Sequence, residues 1–303
     1  MKQIREHVLA LRKALHDYNY RYYVLDDPII SDYEFDKKLR ELAELEKQYP
    51  ELIDPNSPTL RVGGTINKNF PTVTHEFPMY SLDNAYSEQE LFDWEKRIQK
   101  RLGTDAVTYS CELKFDGVSI SLTYDNGVLE QAVTRGDGTQ GDEVTQNIRT
   151  IPTVPLQLRG DFTDRFAIRG EIVLPIDGFN KLNEERIAMG EEPYRNPRNT
   201  ASGTLKLQDS SLVAKRPLQC FLYQMIANRS LFTTQLESLQ TARKLGFHVP
   251  EHYTLASSID EVMHFISHWE KERTNLPFEI DGIVIKVNDC LLYTSDAADD
   301  VRS

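Results

Sequence analysis

Asp125-Asn126-Gly127-Val128 constrains the fold of this chain more than any other stretch, because Asn-Gly between two β-compatible runs signals a two-residue type I′ hairpin. Val118, Ile120 and Leu122 alternate with polar residues on the way into the turn. The turn also sets the register. With Asp125 opposite Val128, counting back along both strands puts Arg135 opposite Val118, beside Asp116-Gly117.

The stretch leading into this hairpin, Glu112-Leu113-Lys114-Phe115-Asp116-Gly117, is where the chemistry points. With a period of two, Glu112, Lys114 and Asp116 share one strand face and Leu113 and Phe115 the other. Three charges on one face need a solvated or ligand-filled cleft, and the lysine between two carboxylates is the candidate nucleophile. Those acids favour the ammonium form, so a cation has to offset them before the lysine can attack.

The 303 residues allow two domains. A net charge of −12 argues against binding nucleic acid by bulk electrostatics, so any phosphate contact must be local. Cys111, Cys220 and Cys290 have no C-x-x-C spacing, which supports neither a disulfide framework nor a zinc site. There is no membrane-length apolar run and no secretory start, and a cytoplasmic protein is expected.

Ile4, Val8, Leu11 and Leu15 recur at helical spacing up to Tyr22 and Tyr23, and Ser31-Asp32-Tyr33-Glu34 has the form of a capping box opening a second helix through Phe35, Leu39, Leu42 and Leu45. The tyrosines beside Asp32 and Asp36 suit a planar cationic ring with hydroxyls nearby. From Pro50 to Pro78 the chain reads as a linker around Gly63-Gly64. Further on come Ser81-Leu82-Asp83-Asn84, a capped helix from Ser87 to Gly103, and Arg135-Gly136-Asp137-Gly138 leaving the hairpin in a glycine turn. Arg169-Gly170-Glu171 offers a third acid, and Asn196-Pro197-Arg198-Asn199 through Lys206 is the best local candidate for phosphate contact. Glu279 to Val287 reads as a buried strand in which Lys286 meets an anion. His264 and His268 have ligand spacing but no third partner.

In this order, Lys114-Phe115-Asp116-Gly117, Arg135-Gly136-Asp137-Gly138, Arg169-Gly170-Glu171 and Asp281-Gly282-Ile283-Val284-Ile285-Lys286 resemble the nucleotidyltransferase motifs of bacterial NAD-dependent DNA ligases. The resemblance extends to the amino-terminal hairpin and covers nearly the whole chain. It implies an α+β protein: a helical hairpin that binds the nicotinamide mononucleotide half, with its linker (1–70), then an ATP-grasp-like nucleotidyltransferase domain of antiparallel sheets flanked by helices (71–289). It also implies a Lys114 that attacks the α-phosphate of NAD and carries AMP to the 5′-phosphate of nicked double-stranded DNA.

By the same resemblance Glu112 reads the adenine amino group, Arg135 and Glu171 take the ribose side, Ser81 and Leu82 line the nucleotide pocket, and Lys286 meets the α-phosphate. Tyr22, Asp32, Tyr33, Glu34, Phe35 and Asp36 grip the nicotinamide half, and Arg198 and Lys206 contact DNA. Asp116 and Glu171 hold Mg2+ through water. Phe35 stands where the family has tyrosine and Lys206 where it has arginine, and the second change replaces a planar fork with a point charge. A monomer is expected. The alternatives are an ATP-using ligase or capping-type nucleotidyltransferase, and a silent nick-binding module.

From Cys290 the residues resemble a translated sequencing adapter, so 290–303 are expected to be a non-native tail. By the same resemblance, this sequence is expected to stop short of the family's last nucleotidyltransferase lysine, its OB-fold and its zinc, helix-hairpin-helix and BRCT regions. A weak or inactive enzyme in the full reaction is expected.

Overall fold

The computed structural model describes residues 2–62, 70–160 and 162–290. Two helices, α1 (Lys2–Tyr23) and α2 (Asp32–Gln48), make the amino-terminal hairpin. Val8, Leu11, Leu15 and Leu42 form its buried core, with Ile4, Phe35, Leu39 and Leu45 packed around them. This is the face that a 3.6-residue period aligns. The Ser31 hydroxyl accepts from the Glu34 N–H, and the Glu34 carboxylate reaches back to the Ser31 N–H at 3.0 Å, closing the capping box.

The chain after α2 departs from the linker expectation. Pro50–Leu52 and Pro58–Val62 form 3₁₀ turns, and Asn56 and Ser57 between them are buried. Polar anchoring explains the order: Arg61 donates to the carbonyls of Ile151 and Val154, each at 2.7 Å, satisfying backbone groups of the next domain. Gly63 and Gly64 lie outside the described residues.

The second domain contains β1 (Thr72–Thr74), α3 (Glu88–Leu102), β2 (Tyr109–Phe115), β3 (Val118–Asp125), β4 (Val128–Thr134), β5 (Gln140–Asp142), α4 (Thr145–Ile148), β6 (Phe166–Val173), α5 (Ile176–Ala188), α6 (Pro197–Leu205), α7 (Ser210–Ala214), β7 (Gln219–Ile226), α8 (Gln235–Lys244), β8 (Tyr253–Ala256), α9 (Ile259–Glu272) and β9 (Ile280–Val287). The strands form sheets in the orders β4-β3-β6-β7, β8-β2-β9 and β1-β5, and every pairing is antiparallel. The fold is the α+β arrangement of a helical hairpin and a nucleotidyltransferase-like domain. Cys111 and Cys220 are buried thiols, and no disulfide is formed among the described residues.

Asn126 and Gly127 take φ of +49° and +75°, as a type I′ turn requires, and Asp125 does pair with Val128. The register then slips. Tyr124 faces Leu129 but Thr123 faces Gln131, so Glu130 is an extra residue on β4. Arg135 therefore lies against Ser119, whose carbonyl accepts its N–H at 3.1 Å, and not against Val118. The extra residue has a use, because Glu130 pairs with Arg165 of the neighbouring strand region.

The four-stranded sheet has two distinct faces. Ile120, Leu122 and Tyr124 of β3 and Phe166, Ile168 and Ile172 of β6 enter the main core, over which Ile148, Ile151, Val154 and Leu156 are layered. Ser119, Ser121 and Thr123 point to the opposite side, toward the cleft. In the three-stranded sheet β9 pairs, among the described residues, with β2 alone, so it is an edge strand there, mostly half-buried, where a buried one was expected.

Candidate active site

Lys114 meets Asp281 because of a second bulge. The β2–β9 register sets Lys114 opposite Gly282 and Phe115 opposite Ile280, leaving Asp281 as the unpaired residue. Gly282 accommodates the distortion with φ of +152°, a conformation that side chains resist. Both Asp281 carboxylate oxygens accept from Lys114 Nζ, at 2.6 and 2.7 Å. The two side chains are 44% and 38% exposed, so this ion pair sits in the mouth of the cleft.

Glu112 lies two residues back on the same face but in different surroundings. It is buried, and one of its oxygens, Oε2, accepts from Lys286 Nζ at 2.9 Å. The other, Oε1, accepts from Ser110 Oγ at 3.0 Å and from Gln235 Nε2 at 2.9 Å. The Lys286 ammonium also sits 5.1 Å from the centroid of the Tyr223 ring. Lys286 meets an anion as expected, and the anion is Glu112. That pairing and its burial hold the ammonium against Glu112 inside the protein.

Glu171 faces the cleft from β6 and accepts from Ser119 Oγ at 2.8 Å. Burial pushes its carboxyl up to about 7, against the opposing pull of the Ser119 hydrogen bond and of Arg198, Lys114 and Arg135. These residues therefore converge electrostatically. Arg198 closes the group by donating to Asp116 Oδ1 at 2.9 Å from the first turn of α6, which Asn196 caps. Lys206, at the far end of α6, pairs with Asp142 at 2.7 Å. Asp116 itself stands just past the end of β2, where its N–H donates to the Glu279 carbonyl. Among the described residues no three His, Cys, Asp or Glu side chains are grouped to hold a metal ion.

Arg135 opens a tight turn in which the Gly138 N–H returns to its carbonyl at 2.9 Å, and Met79 ties the next segment to this turn through the Gly138 carbonyl at 2.7 Å. Ser81 and Leu82 follow directly and are exposed. On the hairpin, the rings of Tyr22 and Tyr23 lie 4.7 Å apart. The Tyr23 hydroxyl is pushed up by burial, then by Tyr22 and, more weakly, by Asp32 and Asp36, which puts all four residues in one neighbourhood. Tyr33 is also exposed, whereas Glu34 is committed to the capping box and Phe35 to the hairpin core.

Among the described residues, the hairpin meets the second domain away from Lys114. Asn19 donates to the Pro152 carbonyl at 2.8 Å, and Arg159 pairs with Asp17 at 2.7 Å while lying over the Tyr20 ring at 4.5 Å. The hairpin thus docks on the segment layered over the main core, behind the sheet whose other face carries Ser119 and Glu171.

Residues 67–295 match the model of the NAD-dependent DNA ligase adenylation domain, and residues 1–63 match that of the DNA ligase-like N-terminal NAD+-binding domain. The chain belongs to the NAD-dependent DNA ligases. The adenylation-domain match runs beyond Lys286, the last residue of the motifs quoted above. The DNA ligases of Flavobacterium johnsoniae and Flavobacterium psychrophilum are each 58% identical to it, over 285 and 286 residues, and that of Christiangramia forsetii is 58% identical over 286. Each alignment covers 94% of this chain and 43% of the relative, so the chain spans less than half the length of these ligases. No helix among the described residues is long and apolar enough to cross a membrane.

Three residues of this cluster carry little signal in the sequence. Asp281 was visible as an acid-glycine pair, but only the bulge aims it at Lys114. Ser110 and Gln235 carry no sequence signal of a site, since a serine in a strand and a glutamine after a capping threonine are ordinary.

Proposed function

We propose that this chain is the NAD-adenylated part of a DNA ligase, with Lys114 as the nucleophile. The observation that carries the reading is a lysine at the cleft mouth held by one removable carboxylate, Asp281, with the cations Arg135 and Arg198 close to the same carboxylate, Glu171. In the first step Lys114 Nζ leaves Asp281, gives up a proton to solvent and forms a bond to the α-phosphorus of NAD. The phosphoanhydride bond breaks, and nicotinamide mononucleotide departs with the electron pair. AMP then passes to the 5′-phosphate of a nick, and the 3′-hydroxyl displaces it.

Glu112 and Lys286 present an acceptor beside a donor in a buried site, the pattern that adenine's amino group and N1 require along one edge. Arg135 and Glu171 bind the ribose side, and Ser81 and Leu82 flank the nucleotide. Tyr22, Asp32, Tyr33 and Asp36 take the nicotinamide half, with Glu34 and Phe35 supporting them from the cap and core. NAD joins its two halves through one pyrophosphate, so the hairpin leaves its dock for these residues to meet the substrate held at Lys114. Arg198 and Lys206 exchange Asp116 and Asp142 for DNA phosphates.

Asp116 and Glu171 fit Mg2+, which binds through one or two carboxylates and keeps several waters. Burial raises the Glu171 carboxyl despite the three nearby cations, and a further bound cation would favour its charged form. When bound, Mg2+ supplies positive charge that offsets the α-phosphate and the developing charge at phosphorus. A cytoplasmic monomer completes the reading.

Intact-mass measurement after incubation with NAD and Mg2+ tests it. The expected result is a gain of one AMP that ATP does not support and Lys114→Ala abolishes. No adduct under any condition would favour a silent binding module, and equal labelling by ATP would favour the ATP-using class.

A further inference from the structure

Gln235 is buried at the first position of α8 and its side-chain nitrogen makes two hydrogen bonds. One goes to Glu112 Oε1 at 2.9 Å, on the three-stranded sheet, and the other to the Tyr223 carbonyl at 2.8 Å, on the four-stranded sheet. One amide nitrogen therefore ties the two walls of the cleft together at the position of the buried carboxylate. Its own placement is fixed from behind. The Gln235 N–H donates to the Asn288 carbonyl at 2.7 Å, and Asn288 Oδ1 accepts from the next N–H at 3.1 Å. Ser110, buried on β2, donates to the same Glu112 oxygen at 3.0 Å.

We infer that Gln235, assisted by Ser110, is a positioning residue for base selection. An ionised carboxylate accepts hydrogen bonds only. With Oε1 held by Gln235 and Ser110, the carboxylate cannot rotate without breaking two bonds, so Oε2 is kept as an acceptor beside Lys286. Adenine offers an amino donor there. Hypoxanthine offers a carbonyl oxygen, which an acceptor repels. Rigidity of Glu112 thus sets how strongly the site rejects a base with oxygen in place of the amino group. This inference rests on the proposal that Glu112 reads adenine.

The test is equilibrium binding of NAD and of nicotinamide hypoxanthine dinucleotide to the parent chain, Gln235→Leu, Ser110→Ala and Glu112→Gln, with a thermal melt of each. Parent should prefer NAD. Gln235→Leu, which keeps volume and removes both donors, should cut that preference by roughly tenfold, and Ser110→Ala by roughly threefold, the scale of the net contribution of a hydrogen bond. A purely structural role would weaken both dinucleotides together and leave their ratio unchanged. Glu112→Gln, whose amide can donate to oxygen, should abolish the preference. If Glu112→Gln abolishes it while Gln235→Leu and Ser110→Ala keep the parental ratio, the positioning role is wrong and the adenine reading stands. If Glu112→Gln leaves the preference intact, the adenine reading falls and the inference with it. Should Gln235→Leu fail to fold, Ser110→Ala decides, because it bridges no sheets.

Discussion

Two lysine–carboxylate pairs stand on one sheet and have opposite physical characters. Lys114 and Asp281 are 44% and 38% exposed, and Lys286 and Glu112 are 6% and 7% exposed. An exposed pair gains little from its contact and can be opened by a substrate. A buried pair loses much when one partner is removed, because the other charge is left in the interior. A lysine–carboxylate contact therefore leaves one lysine able to move at the mouth and holds the other fixed behind it.

The largest expected effect lies at the exposed pair and is chemical. Lys114→Met should eliminate NAD-dependent labelling, measured by intact mass, yet shift unfolding free energy by less than about 1 kcal/mol. A large loss of stability would mean that Lys114 has a structural role as well.

The buried pair should behave in the opposite way. Lys286→Met should cost roughly 3–5 kcal/mol in urea unfolding, because Glu112 is stranded. The double variant Glu112→Leu/Lys286→Met should recover most of that loss. If the two single variants simply add, the pair is not coupled and the contrast fails.

Glu171 sharpens the comparison, being a half-buried carboxylate without a single dedicated cation. Its ordinary value of 4.5 is raised to about 7, chiefly by burial. A raised carboxyl contributes stability that is fully present below 4.5 and is lost as pH rises through 7. Glu171→Gln keeps the neutral form at every pH. Its melting temperature should match the parent near pH 4.5 and exceed it increasingly up to pH 8, by the equivalent of roughly 2–3 kcal/mol. A difference independent of pH would show that Glu171 is ionised throughout.

What could be seen in the sequence divides along the range of the interactions. Ser31 and Ser87 announce their helices, and Asn126-Gly127 its turn, because each signal is complete within four residues. The bulge at Glu130 was hidden because its partner, Arg165, arrives from another part of the chain. The nucleotidyltransferase motifs named Lys114, Glu112 and Lys286 individually but not their pairing. That depends on the β2–β9 register, which sets Lys286 opposite Ser110 and so diagonal to Glu112. The hairpin's dock was likewise illegible, resting on Arg61 reaching backbone carbonyls and Arg159 meeting Asp17 and Tyr20.

The smallest expected effect concerns that dock and separates the hairpin from the sheets. Arg159 and Asp17 are partly exposed, at 42% and 35%, and the guanidinium lies 4.5 Å from the Tyr20 ring centroid. Arg159→Ala should therefore lower stability by no more than about 1 kcal/mol. If the docked hairpin is the resting position, it competes with the arrangement that binds NAD, and apparent affinity is reduced by the fraction docked. Weakening the dock by this amount should raise apparent NAD affinity by roughly twofold to fivefold, opposite in sign to the stability change. Asp36→Ala, which leaves the dock contacts untouched and removes a nicotinamide-side carboxylate, should lower affinity instead. If Arg159→Ala weakened NAD binding in proportion to its loss of stability, the docked position would be the working one, and the hairpin's acids would have to act from behind the core.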